Sequence, residues 1–241
     1  MKISLLTPTR DRPDNIVRFI DSVVDTISND NYIEILFYVD YDDINTTRII
    51  NNYCVKLTKK IEIKSMCDVK ENWYNKWWNF LWKMATGDVF MQCGDDLIFR
   101  TKNWDNVIAD EINKYNDKMV VINPNDGSCD SHKRATHPIL TKEWCDAVGY
   151  FVPGIFAGAM NDTWITDISK RVNRLVYLDE VLIEHMHPDF GKAPNDIVYE
   201  KQKNMAVDNN VFELFDKTED KRNDDIKKIK KHILKYCDKN E

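Results

Sequence analysis

The sequence predicts an α/β fold: a mostly parallel central sheet flanked by helices, then an irregular second half and a C-terminal helix. Two observations predict it. Through the first hundred residues, short apolar runs alternate with amphipathic segments, and three strand–helix units in succession call for a parallel sheet with right-handed crossovers. Beyond residue 100 the alternation loosens into polar loops and isolated segments. A length of 241 residues with 43% hydrophobic content fills one full core. We therefore expect a single domain over 1–215, divided into halves at 1–100 and 101–215, with 216–241 as an appended basic helix.

Each element has a local reason. Lys2–Thr7 is an apolar strand, and Pro13–Ile27 a helix with proline in its first turn. Ile33–Val39 is a second strand, followed by a helix over Thr46–Leu57 and a strand at Ile61–Ser65. Lys70–Thr86 is an aromatic helix stopped by Gly87, and Val89–Cys93 the next strand. Trp104–Tyr115 reads as a helix, Met119–Asn123 as a strand, and Asn125–Thr136 as a polar loop. Thr141–Val148 is a short helix ending at Gly149, and Pro153–Met160 a loop or bend. Asn161–Val172 is a helix with Asn161 or Asp162 near its N-cap. Arg174–Met186 supplies one or two strands, and Asn195–Phe215 another helix.

Charge and cysteine usage narrow the function classes. The net charge of −6 argues against a general nucleic-acid binder. Residues 221–239 carry +5, with Ile226, Ile229, Ile233 and Leu234 at helical spacing, so this tail reads as a helix docked on the domain. A membrane-surface or partner-binding helix is the other reading. No apolar stretch reaches the ~18–20 residues of a membrane span, and no signal peptide fits before Pro8. The six cysteines show no zinc spacing and read as reduced thiols in a cytoplasmic protein.

Gly94-Asp95-Asp96 closes the fourth strand. Paired carboxylates at the carboxyl edge of a sheet offer hard oxygen ligands, suited to manganese or magnesium with phosphate oxygens completing the shell. Pro8, Thr9, Arg10 and Arg12 follow the first strand, and either arginine can pair with phosphates. Asp40 and Asp42 end the second strand, where a carboxylate can accept from a base or a ribose. His185 and His187 lie two apart after an apolar strand, so both imidazoles can face one site. Lys192 follows Gly191 in a loop and can close over phosphates. Asp162 is a helix cap, a general base, or both. Trp73, Trp77, Leu81 and Met84 form one helical stripe and Tyr74, Trp78 and Trp82 another; core packing is the expected role, a stacking platform for single-stranded nucleic acid the alternative.

In order and spacing these pieces resemble a GT-A-fold glycosyltransferase of the large inverting family 2 type, over roughly Lys2 to Phe190. The resemblance rests on Ile3–Pro13, on Asp40, on the Asn79…Ala85…Gly87 spacing before the strand, on Gly94-Asp95-Asp96 at the DXD position, on Asn161-Asp162 and on His185/His187. It departs from the family pattern at Gly94 and Asn161, where acids are usual. The resemblance implies a Rossmann-like GT-A fold with an acceptor-binding second half, like small soluble viral or bacterial members. It implies a nucleotide-diphosphate-sugar donor held by the residues above together with Asn79, and a glycan or small hydroxyl acceptor. It further implies manganese or magnesium on Asp95, Asp96, His185 and His187, with Asp162 as catalytic base. Nucleotidyl transfer to sugar phosphates, glycosylation of modified DNA bases and an inactive nucleotide- or glycan-binding module are the competing readings.

Overall fold

The computed structural model describes residues 1–54, 60–68 and 74–237. The predicted helix ends at 55–57 and 70–73, with Trp73, lie outside the described residues. The first half keeps the predicted alternation: β1 (Lys2–Thr9), α1 (Pro13–Thr26), β2 (Tyr32–Asp40), α2 (Ile44–Cys54), β3 (Ile61–Asp68), α3 (Tyr74–Met84) and β4 (Val89–Gln92). Its strands pair in parallel in the order β3–β2–β1–β4. The chain steps outward from β1 to β3, then returns across β1 to β4. Strand order reverses there, so the carboxyl ends of β1 and β4 open a crevice.

Both faces of this sheet are covered, as parallel strands require. Ile3, Leu5, Ile35, Phe37 and Met91 pack in one core with Ile16, Phe19, Ile20 and Val23 of α1. The spacing of those four turns them to one side of the helix, and each buried side chain contributes about 1.5–3 kcal/mol. Leu6, Leu36, Tyr38 and Phe90 form the opposite core with α3. Trp77 stacks on Tyr38 with ring centroids 5.5 Å apart, and Trp78 donates its Nε1–H to the Leu6 carbonyl at 3.2 Å. The aromatic helix is therefore core packing, although Met84, on the expected stripe, is exposed.

The second half comprises β5 (Leu97–Phe99), α4 (Trp104–Asn113), β6 (Val121–Asn125), β7 (Ile139–Thr141), α5 (Lys142–Val148), α6 (Asn161–Arg171), β8 (Leu175–His185), α7 (Ile197–Asp208), α8 (Val211–Lys217) and α9 (Glu219–Cys237). The sheet continues β4–β7–β6–β8–β5, with β7 antiparallel to both neighbours and β5 antiparallel to β8. Strands β5 and β7, three residues each, were not predicted; so short a run carries no periodicity. The single helix expected over Asn195–Phe215 is two, broken where Asn210 takes a left-handed φ of 47°. Helix α9 buries Ile226 and Ile229 in the core shared with α5 and α6, while Leu234, assigned to the same stripe, faces solvent. No helix among the described residues is long and apolar enough to cross a membrane.

One buried charge locks the amino-terminal region of the sheet. Glu34 on β2 lies opposite Ser4 on β1 with no exposure. It accepts from Ser4 Oγ at 2.7 Å, from Lys64 Nζ at 2.9 Å, and from the Thr86 amide and hydroxyl, both at 2.9 Å. Gly87 follows, its N–H donating to Ser4 Oγ at 3.1 Å. A Cβ at Gly87 would run into Ser4 Oγ and lie 3.0 Å from the Lys2 and Val89 carbonyls, so close approach fixes this glycine beyond any helix-stopping role. Burial pushes the Glu34 carboxyl up, but the hydrogen bonds from Lys64, Thr86 and Ser4 outweigh it and hold it at about 2.

A depressed folded-state pKa contributes stability above the unfolded value of 4.5, and that contribution is lost as pH falls toward 2. Glu34→Gln is expected to cost roughly 2–3 kcal/mol at neutral pH. Urea unfolding across pH should show the gap to wild type closing between pH 4.5 and 2; a constant gap would contradict this account.

Candidate active site

The Asp95-Asp96 pair sits in the crevice beside β1. The Cys93 N–H continues the β1–β4 ladder to the Leu6 carbonyl at 3.0 Å, after which the chain turns into β5. Both carboxylates are buried, at 4% and 5% exposure, and they face different partners. Asp95 accepts from Thr9 Oγ1 at 2.7 Å and pairs with Arg12 at 3.0 Å. Asp96 meets His185 Nε2 at 3.2 Å and accepts from the Tyr199 hydroxyl at 2.8 Å. Burial raises Asp95 despite Arg12; for Asp96, His185 first, then His137 and Tyr199, overcome burial and hold the carboxyl well below the usual range.

Gly94 makes the second arrangement possible. A Cβ there would collide with Asp96 Oδ1 and approach His137 Nε2 to 3.7 Å. The carboxylate thus folds back over Gly94.

Three elements bring Asp96, His137 and His185 together, and one potential ligand atom from each lies within 4.8 Å of the others. The β5–β8 register sets Leu97 opposite His185, and the Met186 N–H donates to the Asp96 carbonyl at 2.9 Å. His137 arrives on the loop before β7, where the Gln92 N–H donates to the Pro138 carbonyl at 3.0 Å. Asp126 closes that loop, its carboxylate accepting from Thr136 Oγ1 at 2.9 Å and its carbonyl from the His185 N–H at 3.0 Å. The two imidazoles cross edge-to-face at 4.5 Å. Burial, then His185, push His137 down to about 3, so it is neutral at physiological pH, the ligating form. Among the described residues neither His137 Nδ1 nor His185 Nδ1 has a hydrogen-bond partner. Sequence reasoning missed His137; its one local signal is a histidine held extended by the following Pro138.

Other expected site residues divide. His187 lies beside His185 with ring centroids 4.9 Å apart and planes tilted by 50°, but its Nδ1 accepts the Asp189 N–H, and it stands outside the ligand cluster. Asp95, expected on the metal, is turned to Thr9 and Arg12 instead. Pro8 lies at the end of β1 beside Thr9. Arg10 pairs with Asp40 and forks onto Asp42 at 2.7 and 3.0 Å, so these three converge on each other. Lys192 reaches Glu184 at 3.0 Å, on the face of β8 opposite His185. Asn79, expected on the donor, gives its amide to the backbone: it donates to the Val152 carbonyl and accepts from the Phe151 and Val152 N–H groups. Those bonds tie α3 to the 150–152 loop.

Asp162 opens α6 without capping it. Met160 holds the cap position with a left-handed φ of 74°, and Asp162 Oδ1 accepts from the next residue, the Thr163 N–H at 2.8 Å and its hydroxyl at 3.4 Å. Burial raises its pKa; Arg134, 3.2 Å away, opposes this. The Ala135 N–H donates to Thr166 Oγ1 at 3.0 Å, so the loop carrying His137 is anchored to the helix carrying Asp162. Asp162 is thus linked to the cluster through the 134–137 loop and is not one of its ligand residues.

The model of the glycosyl transferase family 2 matches residues 4–166. No curated protein matches by sequence. Among solved structures, S. aureus TarS 1–349 in complex with UDP-GlcNAc superposes with a TM-score of 0.61 at 14% identity, over 87% of this chain and 66% of that one. The mannosyltransferase PcManGT from Pyrobaculum calidifontis, in complex with GDP-Man and Mn2+, gives 0.60 at 12% identity, over 76% and 56%. At these identities the likeness shows the fold alone, the mixed α/β GT-A arrangement. The chain spans 56% to 66% of the length of these structural relatives.

Arg12 and Asp95 are exposed by only 10% and 5% at their side chains. Arg12→Met leaves the carboxylate buried without its cation, and equilibrium unfolding should show a loss of about 3 kcal/mol. Adding Asp95→Asn should recover much of it; no recovery would mean that Asp95 draws little from Arg12.

Proposed function

The chain belongs to glycosyl transferase family 2, and on that premise we propose that it moves a sugar from a nucleoside-diphosphate donor to an acceptor hydroxyl, with inversion and with a divalent cation. The observation that carries this reading is the convergence of Asp96, His137 and His185 at the carboxyl edge of the sheet, with the His137 loop bonded to the helix that Asp162 opens. Unpartnered buried imidazole nitrogens and a low-pKa carboxylate fit a cation. Two imidazoles and one carboxylate favour manganese or another first-row transition ion over magnesium, which prefers oxygen ligands. Bound there, the cation would act as a Lewis acid toward the departing diphosphate.

The chain's own groups do the rest. Asp162 accepts the acceptor hydroxyl proton as that oxygen bonds to the anomeric carbon. The bond from that carbon to the diphosphate oxygen breaks on the opposite face, its electron pair leaving on the diphosphate. The buried position of Asp162 makes it a stronger base than a solvated aspartate, while Arg134 limits the rise. Arg12, at the crevice between β1 and α7, is paired with Asp95 and is a guanidinium suited to a phosphate oxygen. The proteins that this fold resembles were captured with UDP-GlcNAc and with GDP-Man, so both nucleotides are candidate donors.

Asp162→Asn is expected to reduce sugar transfer by at least about 1000-fold while leaving donor affinity within about threefold, read by nucleoside diphosphate release and by calorimetry. Near-normal turnover would remove Asp162 from the chemistry. In wild type, the rate should rise with pH through a limb above the ordinary aspartate range, because the base must be ionised. A thermal-shift panel of UDP and GDP should show larger stabilisation with manganese than with magnesium, and His137→Ala should erase that difference. Equal response to both ions in wild type would count against the imidazole-rich site.

A further inference from the structure

The family match ends at residue 166, yet the Asp96 carboxylate is held from well beyond it. The Tyr199 hydroxyl, on α7, donates to Asp96 Oδ2 at 2.8 Å, the same oxygen that faces His185. The ring carrying that hydroxyl is fixed on several sides. The Arg12 guanidinium lies 4.0 Å over it, and the His187 ring meets it edge-on at 4.7 Å. The backbone is fixed as well: Asp196 caps α7 by accepting the Val198 and Tyr199 N–H groups at 2.9 and 3.0 Å. Asp196 also takes a two-pronged contact from Arg12, at 2.9 and 2.7 Å, while the other arm of Arg12 reaches Asp95. One arginine thus joins the first of the two acids to the start of α7, and α7 returns a hydroxyl to the second.

We infer that Tyr199 is a positioning residue for the cation site, setting the orientation in which Asp96 meets a divalent ion, and that the Arg12–Asp196 pair holds α7 for this purpose. The inference rests on the cation reading of Asp96, His137 and His185. Its physical basis is that a metal-ligating carboxylate needs a hydrogen bond from outside the ligand set to fix which oxygen faces the ion; loss of such a partner typically weakens metal affinity about 10- to 100-fold. With His185 turned to an ion, Tyr199 would be the remaining side-chain donor holding Asp96 Oδ2. Tyr199→Phe keeps the ring under Arg12 and beside His187 and removes only the hydroxyl.

The test is a Mn2+ titration of the full chain, followed by the paramagnetic resonance of free and bound ion, in wild type and in Tyr199→Phe. We expect tight binding of Mn2+ in wild type and an affinity about 10- to 100-fold weaker in the variant, with a changed bound-ion spectrum and a metal-free melting temperature within a few degrees. A purely packing role would move the melting temperature and leave the spectrum alone. Wild-type affinity and spectrum in Tyr199→Phe would overturn the role of Tyr199 while the cation site stands. Absence of Mn2+ binding in wild type would overturn the cation site and this inference together. Should Tyr199→Phe fail to fold, Asp196→Asn, which loosens the start of α7 without touching the ring, must weaken Mn2+ in the same direction; unchanged affinity there would equally overturn it.

Discussion

Two adjacent carboxylates are buried at one turn, and much of the surrounding structure follows from the need to accommodate them. Two anions side chain to side chain in a low-dielectric crevice repel by several kcal/mol unless each has its own counter-group. The chain resolves this by separating them. Asp95 goes to Thr9 and Arg12 at the end of β1, and Asp96 goes to His185 and Tyr199, drawn from β8 and α7. Elements distant in sequence thereby become walls of one crevice. Gly94 is part of the same solution, because a side chain there would occupy the space that Asp96 takes.

This division assigns different work to the two acids. Asp95, neutralised by an arginine that also holds α7, anchors the crevice. Asp96, flanked by imidazoles with unpartnered nitrogens, has the environment of a ligand. Asp162 belongs to neither set: its neighbours are Arg134 and the first turn of α6, and burial keeps it basic. Asp96 lies below its ordinary pKa and Asp162 above its own, the kind of separation by which two carboxylates can take different tasks in the proposed displacement.

The parallel half of the fold was legible because its signals are local and strong. Apolar strands, Pro13 opening α1 and Gly87 closing the approach to β4 each act over a few residues. Asp95, Asp96 and Asp162 could be singled out as candidates for the same reason, as acids at element ends. His137 was not, because what makes it part of the site is a loop closed by Asp126 and Thr136 and a neighbour, His185, 48 positions away in the sequence. Asn79 shows the converse. The resemblance implied a donor contact for it, and no local signal announced that its amide meets the backbone of Phe151 and Val152. The three-residue strands β5 and β7 gain their pairing from partners that propensity cannot see, and the left-handed turn at Asn210 divides a continuous helical pattern.

The central claim is that the Asp96, His137 and His185 side chains form one cation site for the donor diphosphate. Anomalous diffraction at the manganese edge, from crystals grown with Mn2+ and UDP or GDP, tests it directly. The account predicts one strong peak in coordination with all three side chains and with diphosphate oxygens, and no ion on Asp95. A peak held by Asp95 or displaced from both histidines, or nucleotide bound at the crevice with no manganese peak, would contradict it.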